Sequence, residues 1–136
     1  MNQDIIYGIE QSVAATEFRA LLLASGLAAR RPVDDLERLE TMLKHANMVV
    51  TARRNGELVG IARSVTDFAF CCYVSDLAVS KEVQGKGVGA RLMAETRAQV
   101  GPEVSVILSA VPEAVGFYQN IEMAPLADCF WYRREH

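Results

Sequence analysis

The spacing of apolar positions changes several times along the chain, and each change marks an element. Residues 5–9 form a short apolar run of strand length. Over residues 13–27 the period lengthens: Phe18, Leu21, Leu22 and Ser25 fall on one helical face, and Gly26 offers a stop. Arg31-Pro32 breaks the chain. Asp34 and Glu37 stand at capping-box spacing, and Leu36, Leu39 and Leu43 form the stripe of a second helix. Residues 48–52 and 58–62 then flank Asn55-Gly56, a pair favoured in type I′ turns. That pattern predicts a hairpin with Arg54 and Glu57 as an opposed charge pair.

The second half alternates. Residues 71–79 read as a strand, and residues 87–100 as a helix with Val88, Leu92, Thr96 and Val100 on one face, stopped by Gly101-Pro102. Residues 104–109 are an apolar, β-branched strand. Pro112 opens a short helix carrying Ala114, Phe117, Tyr118 and Ile121, and residues 130–133 read as a last strand. Early antiparallel pairing followed by a late β–α–β unit predicts a mixed sheet with helices on it.

Composition narrows the function classes. At 136 residues, 51% hydrophobic and 23% charged, the chain suits one globular domain over residues 1–136. A net charge of −3 argues against a broad phosphate-backbone binder. The longest apolar stretch, residues 20–29, is far short of the roughly 20 unbroken apolar residues of a membrane span. Met1-Asn2-Gln3-Asp4 lacks a basic, apolar leader. Cys71, Cys72 and Cys129 are odd in number and lack Cys-x-x-Cys spacing, so no disulfide framework, zinc site or other metal is expected. The expected compartment is cytoplasmic.

One stretch carries chemistry. Asp76-Leu77-Ala78-Val79 runs through a short loop into Gln84-Gly85-Lys86-Gly87-Val88-Gly89-Ala90, where glycines at alternate positions open a helix. Glycines admit a ligand close to backbone N–H groups, and a helix N-terminus favours an anion, so phosphate or pyrophosphate is the indicated guest. A tight turn that binds nothing is the competing reading. No Walker A run exists, and Leu92 stands where a dinucleotide fingerprint needs its third glycine.

The stretch resembles the acyl-CoA loop of the GNAT superfamily of N-acetyltransferases, Gln/Arg-x-x-Gly-x-Gly/Ala, with Gln84, Gly87 and Gly89 in the three positions. Leu77-Ala78-Val79 resembles the family's central strand, and Ala114-x-x-Phe117-Tyr118 its late Ala-x-x-Phe-Tyr helix, so the resemblance covers essentially the whole chain. It implies an α/β (α+β) fold with a mixed, mostly antiparallel sheet of six to seven strands, splayed in the middle and flanked by about four helices. It further implies acetyl transfer from acetyl-CoA to a primary amine by direct attack in a ternary complex. On that resemblance, amides of Gly85, Lys86, Gly87, Val88, Gly89 and Ala90 would hold the pyrophosphate, and Gln84 would shape the loop. Leu77 and Val79, with Ala78 between them, would offer main-chain groups to the pantetheine arm. Tyr118 would protonate the departing thiolate, and Phe117 would pack on core or cofactor. Val111 and Pro112 depart from the family, which often places Asn where Val111 stands, so that side-chain contact is not expected.

An alkyl amine is almost wholly protonated at pH 7, and only its free form attacks a thioester. Asp76 is the first candidate for the base, with a hydrogen-bonded strand-end carboxylate as the equal alternative; Tyr73 and Glu113 are weaker candidates. Cys71 and Cys72 should face opposite ways and act as small hydrophobes. His45 and His136 lack partners at ligand spacing, and Arg53-Arg54 and Arg133-Arg134 read as solvated pairs. Residues 14–46 are the expected acceptor side, with a small-molecule amine as the expected partner and no nucleic acid or membrane; the resemblance brings in a homodimer as an assembly frequent in the family, and the sequence itself does not choose an oligomeric state. Two rival functions stand beside this: a catalytically silent CoA-binding regulator and an interaction module on the same fold.

Overall fold

The computed structural model describes residues 4–136; Met1, Asn2 and Gln3, part of the leader argument above, lie outside them. The order is β1 (Ile5–Ile9), α1 (Ala15–Ser25), α2 (Leu36–His45), β2 (Met48–Arg54), β3 (Glu57–Thr66), β4 (Cys71–Val79), α3 (Val88–Val100), β5 (Ser105–Ile107) and α4 (Val115–Asn120). The strands form one sheet in sequence order, antiparallel except for the parallel β4–β5 pair.

Both faces of the sheet are covered, which explains why β2 and β3 read as continuous apolar runs. Val49 and Ile61 join Phe18, Leu21, Leu22, Leu39 and Leu43 in a core beneath α1 and α2. Their neighbours Val50 and Ala62 point the other way, into a second core with Val88 and Leu92 of α3. The fold is therefore three layers.

Local signals placed most boundaries. Gly26 closes α1 in the left-handed region at φ 88°. Asn55 and Gly56 both have positive φ, as a type I′ turn demands. Three expectations change. Asp35, not Asp34, caps α2, its carboxylate accepting from the Arg38 amide at 3.0 Å. Arg54 and Glu57 are register partners, yet the Arg54 guanidinium donates to Glu82 instead, at 3.1 Å. Residues 130–133 form no strand, and the sheet has five strands among the described residues rather than six or seven. Phe130, Trp131 and Tyr132 are exposed: aromatic β-propensity makes a strand only where a sheet edge receives the main chain.

The splay required of the sheet has a local cause. β4 carries an extra residue, Ser75, between the pairs Ser64–Val74 and Arg63–Asp76. Such a bulge bends its strand. β5 pairs with β4 only at Cys71, Cys72 and Tyr73, before the bulge. Past it, one side of β4 is open.

Candidate active site

The phase of the β3–β4 ladder decides which groups face the open side. The Ser80 amide donates to the Val59 carbonyl, so Ser80, Ala78 and Asp76 turn their main-chain groups toward β3. Leu77 and Val79 turn theirs the other way. The Val79 carbonyl already accepts from Gln84 Nε2 at 2.9 Å, which ties the loop to the strand end. Leu77 and the Val79 amide are left on the open edge.

The loop ends in a helix start of the kind that holds anions. Gly85 and Gly87 adopt φ 79° and 81°, a region L side chains avoid, and a Cβ at either would meet nothing within 4 Å. The first helical bond of α3 runs from the Arg91 amide to the Gly87 carbonyl, leaving the amides of Val88, Gly89 and Ala90 without intrahelical partners. No side chain caps them. Gly89 is a different case, since its φ is ordinary. A Cβ there would lie 2.9 Å from Phe117 Cζ, so the missing side chain lets α4 sit against α3. Phe117 in turn meets the Tyr118 ring edge-on at 5.0 Å.

These pieces enclose a cavity of about 790 Å³. Leu77, Ala78 and Val79 line it from β4, Gln84, Gly85, Gly87, Val88 and Gly89 from the loop and α3, and Phe117 and Tyr118 from α4. Lys86, in the loop, and Ala90, in the first turn of α3, do not line it. Val111, where the expected side-chain donor is missing, is a lining residue too. A further part of the wall comes from the end of α1 and the α1–α2 connection, with Ser25, Gly26, Leu27, Ala29 and Arg30. Burial pushes the Tyr118 phenol above its ordinary pKa, partly offset by the Arg31 guanidinium. The Tyr118 phenol is therefore neutral, its proton in place, at physiological pH.

Asp76 is elsewhere. Its side chain has no exposure, and its two oxygens accept from Arg31 Nε and Arg63 Nε, respectively. Arg31 also donates to the Ser75 carbonyl at 2.7 Å, and Arg63 to the Ser75 hydroxyl at 2.9 Å and the Met42 carbonyl at 3.2 Å. Both oxygens of this carboxylate are taken up by guanidiniums, and Asp76 does not line the cavity. Its geometry is that of a clasp joining β3, β4, α2 and the α1–α2 connection, the hydrogen-bonded arrangement that stood as the alternative to a base there. Tyr73, another candidate, lies on the paired end of β4, away from the cavity. Glu113 does line it, and its nearest cation is Arg30, at 3.9 Å. Arg30, Arg31 and Arg63 are the participants that sequence reasoning did not single out. A charge inside an apolar strand, as at Arg63, was the available signal.

Comparison with known proteins agrees with this architecture. A family model described as "Acetyltransferase (GNAT) domain" matches residues 27–122. The N-acetyltransferase ycf52 of Pyropia yezoensis is 27% identical over 97% of this chain and 79% of its own length. That of Porphyra purpurea is 28% identical over 73% of this chain, and the match spans 63% of the algal protein. A probable acetyltransferase structure from Staphylococcus aureus superposes with a TM-score of 0.79 at 21% identity, covering 96% of this chain and 99% of that one. The aminoglycoside N-acetyltransferase AAC(6')-Iy, solved in complex with CoA, superposes at 0.72 with 15% identity, covering 100% and 98%. The chain belongs to the GNAT acetyltransferase family.

Proposed function

We propose that the protein is an N-acetyltransferase that moves acetyl from acetyl-CoA to the primary amine of a small molecule, by direct attack in a ternary complex. The observation that carries this reading is one cavity in which an unpaired strand edge, an uncapped helix start and a neutral, half-buried Tyr118 meet. Family membership supports it, as does the CoA bound by a structural neighbour. The compartment we propose is cytoplasmic, consistent with three unpaired cysteines.

The residues fit the co-substrate. Amides of Gly85, Lys86, Gly87, Val88, Gly89 and Ala90 would hold its pyrophosphate, in space that a side chain at Gly85 or Gly87 would fill. Leu77 and the Val79 amide would receive the pantetheine arm as an added strand does. When bound, acetyl-CoA supplies a thioester carbonyl open to attack. Main-chain N–H near Leu77 would polarise that carbonyl, and Tyr118 would give its proton to the leaving sulfur. Phe117 holds Tyr118 in place against Gly89.

The test is the melting temperature in the presence of acetyl-CoA. At 100 times Kd a ligand stabilises by about 2.7 kcal/mol. For a domain of this size, that is a rise on the order of 10 °C. No rise at millimolar acetyl-CoA would refute the reading. Gly87→Glu places bulk and negative charge in the anion cradle at a positive φ, and is expected to weaken acetyl-CoA binding at least about tenfold. Unchanged affinity in the variant would mean the cradle is elsewhere. Thiol release across an amine panel separates an enzyme from a silent regulator.

A further inference from the structure

The cavity wall is apolar except for a few groups, and among the described residues only two of those lining it are charged: Arg30, from the α1–α2 connection, and Glu113, from the turn preceding α4. They face each other at 3.9 Å, the outer limit of an ion pair, and both are exposed. An exposed pair at that distance contributes little and exchanges readily with other ions. The other carboxylate near β4, Asp76, is fully committed to Arg31 and Arg63. Any charge an acceptor brings into this cavity must therefore be met by Arg30 or Glu113.

From this arrangement we infer that the acceptor is a zwitterion, an amine that carries a carboxylate or comparable anion, with Glu113 receiving its ammonium and Arg30 its anion. Charge balance selects this class. A zwitterion replaces both arms of the existing pair and leaves neither residue alone. A simple alkylamine competes for Glu113 only, and separates it from Arg30 without replacement. A guanidinium also recognises a carboxylate by two parallel hydrogen bonds, which an amide or methyl group cannot accept. Leu27, Ala29, Val111 and Ala114 lie in the wall around the pair, so the part of the acceptor between its charges is expected to be short and apolar. The inference rests on the acetyl-transfer reading and deepens it.

The test uses thiol release from acetyl-CoA with the twenty common amino acids, β-alanine and γ-aminobutyrate as acceptors, against amino-acid amides and n-butylamine. At least one amino acid is expected to exceed its own amide by about tenfold or more in kcat/KM. Arg30→Gln should remove most of that preference by raising KM for the amino acid while leaving the amide nearly unchanged. Glu113→Gln should raise KM for both. In each variant the acetyl-CoA thermal shift should match that of the parent protein, since neither residue belongs to the anion cradle. Amides or n-butylamine used as well as the amino acids would overturn the inference, and so would an Arg30→Gln variant that keeps the preference. Loss of the acetyl-CoA shift in Arg30→Gln would assign that guanidinium to the co-substrate and overturn it as well. A normal shift in the parent with no thiol release from any amino acid overturns this inference alone; no shift in the parent overturns the acetyl-transfer reading beneath it.

Discussion

Tyr118→Phe is expected to lower kcat by about 10²–10⁴-fold, the usual worth of a positioned acid. Acetyl-CoA affinity should change little, because the ring, its contact with Phe117 and the cavity volume all remain. The sign of the phenol's shift adds a second readout. Burial raises its pKa above 10, and the Arg31 guanidinium only partly offsets this, so the protonated form persists throughout the neutral range. The rate in the parent should therefore hold through neutral pH as far as this group is concerned, and fall only above pH 10 as the proton is lost. An unaltered kcat in Tyr118→Phe would remove the phenol from the mechanism. A parallel loss of acetyl-CoA affinity would make it a packing residue.

The second large effect concerns stability. Asp76→Asn keeps the shape of the side chain but leaves Arg31 and Arg63 facing a neutral group. Arg63 is 6% exposed and Asp76 1%, so the uncompensated charge stays buried. Breaking a buried pair in this way costs about 3–5 kcal/mol, which corresponds to a fall in Tm on the order of 10 °C or more. A general base at this position would behave oppositely, with Tm nearly unchanged and kcat collapsed. Restoring an apolar contact should recover much of the loss: with Asp76→Leu and Arg63→Met together, only Arg31 remains, and its side chain is 21% exposed and can turn to water. A Tm within a degree or two of the parent in Asp76→Asn would show that the clasp contributes little.

Much of the glycine-rich half of the candidate site was legible because its determinants are consecutive. Gln84, Gly85, Gly87 and Gly89 carry the turn and the helix start within six residues, and the structure finds φ near 80° at Gly85 and Gly87. The close seat of Phe117 on Gly89 was not legible, because the two are far apart in sequence and meet only when α4 docks on α3. Asp76 shows the same limit more sharply. Asp76 was correctly read onto β4, but it lies within the strand rather than at its end, and Arg31, 45 residues away, and Arg63, 13 away, take up both oxygens of its carboxylate. The Arg30–Glu113 pair spans 83 positions and could not be seen from either end.

The sequence by itself determined the helices α1, α2 and α3, the Asn55-Gly56 hairpin, the glycine-rich helix start and the membership of one family. Each depends on periodicity, backbone preference or spacing within a few residues, where the chain's own sterics decide. Only the tertiary structure decided where β4 parts from β5, which it does at the bulge on Ser75. The same holds for residues 130–133 staying out of the sheet and for the partners of Asp76, Arg54 and Glu113. Those outcomes turn on which edges and charges come within a few ångströms after collapse. Such distances are set by the whole fold, and no local propensity encodes them.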